Sequence, residues 1–254
     1  MLFRSNGGIF MDQYHARPIL TDLQLCYDPS SYSGSGTSLD DLSGNNFTGT
    51  MDNIDTTGYS GHYFNYNGSN SSLSTPDMET AFNNTLAVTY EVWYNPTDIG
   101  CAIAETGTAG WYDNQMEVGG SSSPYYALCA LYAGGVQQIN PPGPNVLLNN
   151  WYQIVLTYDG SIGVSYINGS AGSPVGPFER QAPWNYSNGY ILNFGMSTAT
   201  AIYSQNWWSG KIGIVRAYNR GLTAEEVTQN FEARSEEHTS ELQSLAYLVC
   251  RLLL

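Results

Sequence analysis

The 254-residue sequence has few charged residues and very few basic ones. Charged residues make up 12% of the chain, and 22 acids face only 8 bases, for a net charge of −14. A nucleic acid or an anionic membrane surface requires a cluster of Lys and Arg, so this composition excludes both as partners. The acidity itself has two interpretations, a solubilising surface or cation binding, and the first is the simpler.

Long apolar runs are also missing. No stretch reaches the about 18 apolar residues that a membrane-spanning helix needs. The opening residues, MLFRSNGGIFMDQYHARPI, contain no continuous apolar segment, so we expect no secretory signal.

Cysteine is scarce and scattered. The four cysteines are Cys26, Cys101, Cys129 and Cys250, and none forms a CxxC pair or a cluster with histidine. Zinc ligation is therefore unsupported. An even number of cysteines would permit disulfides, but these spacings give no support to a disulfide framework.

The chain is rich in tyrosine and glycine, and several of its segments alternate between residues of two faces with period two. It has 20 Tyr and 27 Gly, a composition typical of β-rich folds with many turns. LAVTYEVWY (86–94) alternates with period two, which predicts a strand. WYQIVLTYDGSIGVSYING predicts strands over 151–158 and 163–167, with turns at Asp159-Gly160 and Asn168-Gly169. KIGIVRAYNR predicts a last strand.

One helix is predicted near the C-terminus, in LTAEEVTQNFEA (222–233). Thr223 and Glu226 form a capping box, and Leu222 with Val227 suits a hydrophobic staple. The helix is short, and we expect it to pack on the edge of the protein. Many short strands and almost no helix predict a single all-β sandwich.

Both ends of the chain differ in character from the rest. RSEEHTSELQS (234–244) resembles the in-frame translation of a common short-read sequencing adapter, and LVCRLLL (248–254) matches its next constant region. MLFRS (1–5) matches the reverse complement of the same oligonucleotide. We therefore interpret residues 1–5 and 234–254 as adapter-derived, residues 6–17 as an N-terminal lead-in, and residues 18–233 as the domain.

Four segments of this domain carry a family resemblance. They are LQLCYDPSSYSGSGTSLDDLSGNNFTGTM, YFNYNGSNSSLSTP, NNWYQIVLTYDGSIGVSYINGS and GKIGIVRAYNRGLTAEEVTQNFEA, in this order over residues 23–233. They resemble the laminin G-like branch of the concanavalin A-like lectin/glucanase superfamily, in the form common in phage-borne members. The resemblance implies a two-sheet antiparallel jelly-roll sandwich with one short C-terminal helix.

The catalytic motif of the related glucanases is missing. Those enzymes place carboxylates in an E-x-D-x-E or E-x-D-x-x-E strand, whereas Glu91 and Glu117 stand alone in this chain. No GxSxG motif occurs, and neither His15 nor His62 has an evident Ser or Cys partner. We therefore expect that the protein is not an enzyme.

Calcium is a weaker possibility that the resemblance raises. Laminin G-like domains often bind calcium through loop carboxylates, and Asp40 and Asp41 are adjacent in a predicted loop. Members with an acidic pair in the closing strand read I-D-E-V-R, where this chain has IGIVR (212–216). We expect no obligatory cofactor, with Asp40 and Asp41 as the candidates should calcium bind.

Glycan binding is the usual role of the family. Two predicted loops combine aromatic rings with amides and acids, as sugar sites do. The candidate residues are Trp111, Tyr112, Asp113, Asn114 and Gln115 in the first loop, and Trp184, Asn185, Tyr186 and Asn188 in the second. The alternative is that Trp111 and Trp184 cap the core. Trp208, just before the last strand, is interpreted as core.

The function that the sequence predicts is a non-catalytic carbohydrate-binding or adhesion module on a phage virion or fibre surface. Its expected partner is a glycan or cell-surface polysaccharide, and other virion proteins are further candidates. Weak single sites would suit a multivalent assembly. Two alternatives remain: a structural or decoration domain without a ligand, and a degenerate glycoside hydrolase.

Overall fold

A computed structural model describes ten segments of the chain, separated by short gaps. They are 17–57, 61–82, 86–99, 101–108, 111–119, 123–132, 136–143, 146–179, 190–197 and 207–234, with backbone alone at 101–102, 105–108, 111–115, 132 and 136. No helix among these segments has the length and apolarity needed to cross a membrane.

Seven strands form the first sheet, called sheet A. Its spatial order is β1-β15-β6-β11-β12-β13, and β4 joins β15 beyond the end of β1. These strands are β1 (Leu23–Tyr27), β4 (Phe64–Asn67), β6 (Val88–Pro96), β11 (Tyr152–Tyr158), β12 (Gly163–Ile167), β13 (Ser170–Ala171) and β15 (Ser209–Tyr218).

Eight strands form the second sheet, called sheet B, in the order β10-β9-β8-β7-β14-β5-β3-β2. They are β2 (Ser38–Leu39), β3 (Gly49–Asp52), β5 (Ser72–Ser74), β7 (Cys101–Thr108), β8 (Trp111–Gly119), β9 (Tyr126–Tyr132), β10 (Val136–Gln138) and β14 (Leu192–Phe194). A single-turn helix, α1 (Glu79–Phe82), follows β5. All pairings are antiparallel in both sheets, as the predicted two-sheet sandwich requires.

The main core lies between the inner faces of the two sheets. Alternation places Val88, Tyr90, Val92 and Tyr94 of β6 in this core, as the period-two pattern predicted. Trp208 is fully buried there, with its ring edge-on to Tyr94. The assignment of Trp208 to the core is thereby confirmed.

The predicted hairpin is also present. β11 and β12 pair from Ile154↔Ile167 to Tyr158↔Gly163. Asp159 Oδ1 accepts hydrogen bonds from the backbone N–H of the two residues after Gly160, which has φ +103°. Asn168 and Gly169 both have positive φ and join β12 to β13, as a type I′ turn requires.

The C-terminal helix, α2 (residues 224–234), begins at the predicted cap. Glu226 N–H donates to Thr223 Oγ1 at 3.3 Å, and Thr223 N–H donates to Glu226 Oε2 at 2.9 Å, which completes the capping box. The expected position at the edge of the sandwich is wrong. The ring of Phe231 stacks on Trp93 of β6, so α2 covers the outer face of sheet A.

Candidate functional site

The first predicted sugar-binding segment lies in a strand and not in a loop. Trp111, Tyr112, Asp113, Asn114 and Gln115 occupy the first half of β8. Gln115 pairs with Glu105 of β7, and Asn114 pairs with Thr106 of β7 and with Leu131 of β9. The loop assignment was wrong because three consecutive polar residues, Asp113 to Gln115, have the composition of a turn although they lie in a strand. Their role in sugar binding stays a prediction.

The second predicted segment lies outside the described residues. It comprises Trp184, Asn185, Tyr186 and Asn188. Its role in glycan binding, and the alternative that Trp184 caps the core, both stay predictions.

The carboxylate of Asp41 organises a turn. Its Oδ1 accepts hydrogen bonds from the backbone N–H groups of Cys26 and Ser43, both at 2.9 Å. Its Oδ2 accepts from Ser43 Oγ at 2.8 Å and from Phe47 N–H at 3.1 Å. These four bonds occupy the acceptor positions that a calcium ion would need. Asp40 is exposed beside this turn.

This geometry predicts the response to calcium. The carboxylate of Asp41 already accepts hydrogen bonds from protein donors. We therefore expect that neither EDTA nor added calcium shifts the thermal unfolding midpoint by more than about 1 °C. Differential scanning calorimetry in both conditions measures this. A calcium-dependent rise of about 5 °C would contradict the assignment of Asp41 to the turn alone.

The lone acid Glu91 is buried beneath α2. Its Oε1 accepts hydrogen bonds from Arg216 Nη1 and Gln153 Nε2, both at 2.9 Å, and from Trp93 Nε1 at 3.2 Å. Its Oε2 accepts from Asn230 Nδ2 of α2 at 2.8 Å. Four donors, one of them the guanidinium of Arg216, therefore hold the carboxylate in a buried network. Within the described residues, one atom of this network, Gln153 Oε1, has no hydrogen-bond partner.

The Glu91–Arg216 ion pair is closed to solvent. Glu91 is 0% exposed and Arg216 is 6% exposed. Burial by itself lowers the pKa of Arg216, but the neighbouring Glu91 carboxylate raises it above the ordinary value, so the guanidinium stays charged. Glycoside hydrolysis needs two carboxyl groups that reach the substrate, and Glu91 does not reach the surface. The Glu91 network therefore holds α2 against the outer face of sheet A, through the hydrogen bond from Asn230.

Two cysteines are buried and chemically quiet. Cys26 and Cys129 are free thiols, 8% and 1% exposed. Burial raises the pKa of Cys26 to about 11, and burial also raises the pKa of Cys129. Since the thiolate is the nucleophile, neither residue is suited to covalent catalysis, and both pack among the apolar residues of the two core clusters.

Beside the area that α2 covers, the outer face of sheet A carries an aromatic and polar cluster. We call this cluster the sheet A patch, and it consists of Tyr63, Asn65, Asn95, Trp151 and Lys211. Lys211 lies directly opposite Asn65 on one neighbouring strand and Asn95 on the other. Residues directly opposite in an antiparallel pair share a face, so Asn65, Lys211 and Asn95 lie side by side on the outward face of sheet A.

Two aromatic rings complete the sheet A patch. The rings of Tyr63 and Trp151 lie 5.6 Å apart between centroids, at 52°. Lys211 Nζ lies 4.5 Å from the centroid of the Tyr63 ring, a cation–π contact. Tyr63, Trp151 and Lys211 are all partly exposed.

The indole of Trp151 lies near a β-bulge in β15. The register between β15 and β6 shifts between Ile212 and Val215, and Gly213 lies in this bulge. A Cβ added at Gly213 would lie 3.5 Å from Trp151 Cζ3, an ordinary van der Waals distance. The ring of Trp151 is therefore close to β15 at this point.

The sheet A patch can hold a polar ring with apolar faces. Aromatic side chains offer flat apolar surface, and amides both donate and accept hydrogen bonds. Sequence reasoning missed this cluster, because its members come from four distant segments. A local signal existed: in HYFNYN, Phe64 and Tyr66 are buried while Asn65 and Asn67 are exposed, so Tyr63 shares the outward face.

Comparison with known proteins gives one family and a set of structural relatives. A sequence model described as concanavalin A-like lectin/glucanases superfamily matches residues 67–228. A search of curated proteins found no match.

Solved structures with the same fold have low sequence identity to this chain. Domain 4 of AbnA, a GH43 extracellular arabinanase from Geobacillus stearothermophilus, in complex with arabinotriose, has a TM-score of 0.59 at 16% identity, over 82% of this chain and 98% of that one. The botulinum neurotoxin serotype D/C binding domain has a TM-score of 0.58 at 13% identity, over 84% and 52%. Trypanosoma rangeli sialidase in complex with sialic acid has a TM-score of 0.58 at 15% identity, over 85% of this chain and 33% of that one.

Proposed function

Because the chain belongs to the concanavalin A-like lectin/glucanase superfamily, we propose that it is a non-catalytic carbohydrate-binding module. The observation that carries this proposal is the sheet A patch, where two partly exposed rings adjoin two amides. A pyranose or furanose ring has apolar C–H groups on its faces and hydroxyls around its rim. The ring of Trp151 or Tyr63 stacks against an apolar face of the sugar, and the amides of Asn65 and Asn95 form hydrogen bonds with its hydroxyls.

The amide of Asn95 supports a ligand at this position. Asn95 is 6% exposed, and its side chain makes no hydrogen bond to any residue of the described segments. Its amide atoms are not among the fully buried polar atoms that lack a partner, so they keep contact with solvent. A sugar hydroxyl over the sheet A patch would therefore find a free donor and acceptor in this amide.

We propose that the protein is not a catalyst because of where Glu91 and Glu117 lie in the two sheets. Glu91 is sealed beneath α2 by four donors. Glu117 of β8 is 1% exposed, and the residues directly opposite it on the two neighbouring strands are Ala102 and Leu128, neither of which is an acid. A retaining or inverting pair requires two carboxyl groups at about 5–10 Å. A reducing-sugar assay on β-glucan and arabinan tests this, and any turnover above a heat-inactivated control would overturn it.

We further propose that the module acts on the surface of a phage virion or fibre. The resemblance of residues 23–51 to phage-borne members supports this location. One small patch gives weak binding, and many copies on a particle would raise the avidity. Tail or capsid genes beside the coding sequence would support the location, whereas a polysaccharide-degradation cluster would contradict it.

Binding at the sheet A patch is tested by Tyr63→Ala. Tyr63 is partly exposed, so its removal should leave the fold intact and lower glycan affinity by about tenfold, the loss expected for one stacking ring. A glycan array with multimerised protein identifies a ligand, and isothermal titration then measures both affinities.

The matched control is Tyr126→Ala. Tyr126 is 45% exposed on β9, in the other sheet, so this variant removes the same side chain from a different surface. We expect its affinity to stay within about twofold of the unchanged protein. Should Tyr126→Ala abolish binding while Tyr63→Ala does not, the glycan site lies on sheet B. The absence of any glycan ligand, even for the multimer, would overturn the proposed function.

A further inference from the structure

Lys211 is the one lysine of the sequence, and no acid of the described segments forms an ion pair with it. Three arginines in β15, in α2 and between them are each paired with carboxylates. Arg216 pairs with Glu91, Arg220 with Asp22 and Glu226, and Arg234 with Asp28. Among the described residues, Lys211 makes a cation–π contact with Tyr63 and no ion pair.

The surroundings of Lys211 hold its charge in one place. The ring of Tyr63 lies beneath the ammonium, and the amides of Asn65 and Asn95 lie on the two neighbouring strands. A lysine stem that lies over a ring is less free than one in open solvent. The ammonium therefore presents a fixed positive point beside two hydrogen-bonding amides and the indole of Trp151.

An unpaired positive charge beside aromatic rings and amides, in a strongly acidic protein, favours one class of sugar. The chain carries a net charge of −14, which disfavours anions over most of its surface. At Lys211 the local attraction acts over a few ångströms, well inside the screening length of about 8 Å at physiological salt. A neutral sugar would use the rings and amides but would leave the ammonium without a counter-charge.

We infer that the sheet A patch recognises a carboxylated sugar, such as a uronic acid residue of an acidic polysaccharide. Its carboxylate pairs with the Lys211 ammonium, its ring stacks on Trp151, and its hydroxyls bond to the amides of Asn65 and Asn95. This inference rests on the proposed carbohydrate-binding function and names the substrate class of that site.

The experiment compares two probes that differ in the carboxylates alone. Trigalacturonate is the acidic probe and galactotriose is the neutral one, and NMR titration at about 0.15 M salt gives both dissociation constants. We expect the unchanged protein to bind trigalacturonate about two- to fivefold more tightly than galactotriose, the gain expected from one exposed ion pair. Lys211→Gln should remove this preference, and Lys211→Arg should retain most of it.

Arg17→Gln is the matched charge control. Arg17 is exposed and has no described acidic partner, so its substitution removes the same charge away from the sheet A patch. Affinity for trigalacturonate should change less than about twofold in this variant. A loss as large as that of Lys211→Gln would show a general charge effect and would overturn the assignment.

The outcomes separate this inference from the proposed function. Equal affinity of the unchanged protein for both probes, or tighter binding of galactotriose, would overturn the acidic specificity and leave carbohydrate binding intact. A preference for trigalacturonate that survives Lys211→Gln would place the acidic site elsewhere and overturn the inference. Failure to bind these probes or any glycan of the array would overturn both proposals together.

Discussion

Replacing Glu91 by glutamine is expected to lower the free energy of unfolding by about 3–5 kcal/mol, as removal of one partner from a buried ion pair does. Glu91→Gln leaves the Arg216 guanidinium, 6% exposed, without its counter-charge. In the unchanged protein the Glu91 carboxylate accepts four hydrogen bonds. The glutamine side chain would instead point its own N–H₂ donor at some of these donors. Urea unfolding followed by tryptophan fluorescence measures the loss.

The control for Glu91 removes both charges together. In the double variant Glu91→Leu with Arg216→Met, no unpaired charge remains, so most of the stability should return, as replacement of buried ion pairs by apolar residues allows. A double variant that is as unstable as Glu91→Gln would show that the network acts through its hydrogen bonds to Asn230 and Gln153. A loss below about 1 kcal/mol in Glu91→Gln would contradict the structural role of Glu91.

Trp208→Ala is the second substitution with a large expected effect, about 3–5 kcal/mol of unfolding free energy. Trp208 is fully buried between the sheets and contacts Tyr94 edge-on, with ring centroids 5.9 Å apart. The cavity left by the indole cannot be filled from β15, because Gly210 offers no side chain. Thermal unfolding and urea unfolding both report the change.

Trp208→Phe separates packing from hydrogen bonding. The indole N–H of Trp208 has no acceptor among the described residues, so phenylalanine gives up no hydrogen bond and leaves a smaller cavity. We expect it to cost less than half of the alanine value. Equal costs for the two variants would contradict this description of the site.

The strands and the helix cap were predictable because their signals are local. Val88 to Tyr94 alternate with the pleat of β6, and Thr223 and Glu226 close a capping box within one turn. Such patterns need no knowledge of the rest of the chain. The turn at Asn168-Gly169 is local in the same way, since both residues adopt positive φ.

The placement of α2 and the sheet A patch were not predictable from local patterns. Glu91 and Asn230 meet across 139 positions of sequence, and no pattern near either residue indicates the other. Tyr63, Trp151 and Lys211 likewise become neighbours through strand order alone. Residues 111–115 show the reverse error, since polar residues in a strand interior have the composition of a loop.

The most direct test of a glycan site on the outer face of sheet A is a titration followed through the indole N–H signals in ¹H–¹⁵N spectra. With the best array ligand, or with trigalacturonate, the indole signal of Trp151 should shift in a saturable way, since its ring is partly exposed in the sheet A patch. The signal of the buried Trp208 should stay in place as an internal reference. Saturable shifts confined to β8 and Tyr126, with Trp151 unmoved, would contradict the account.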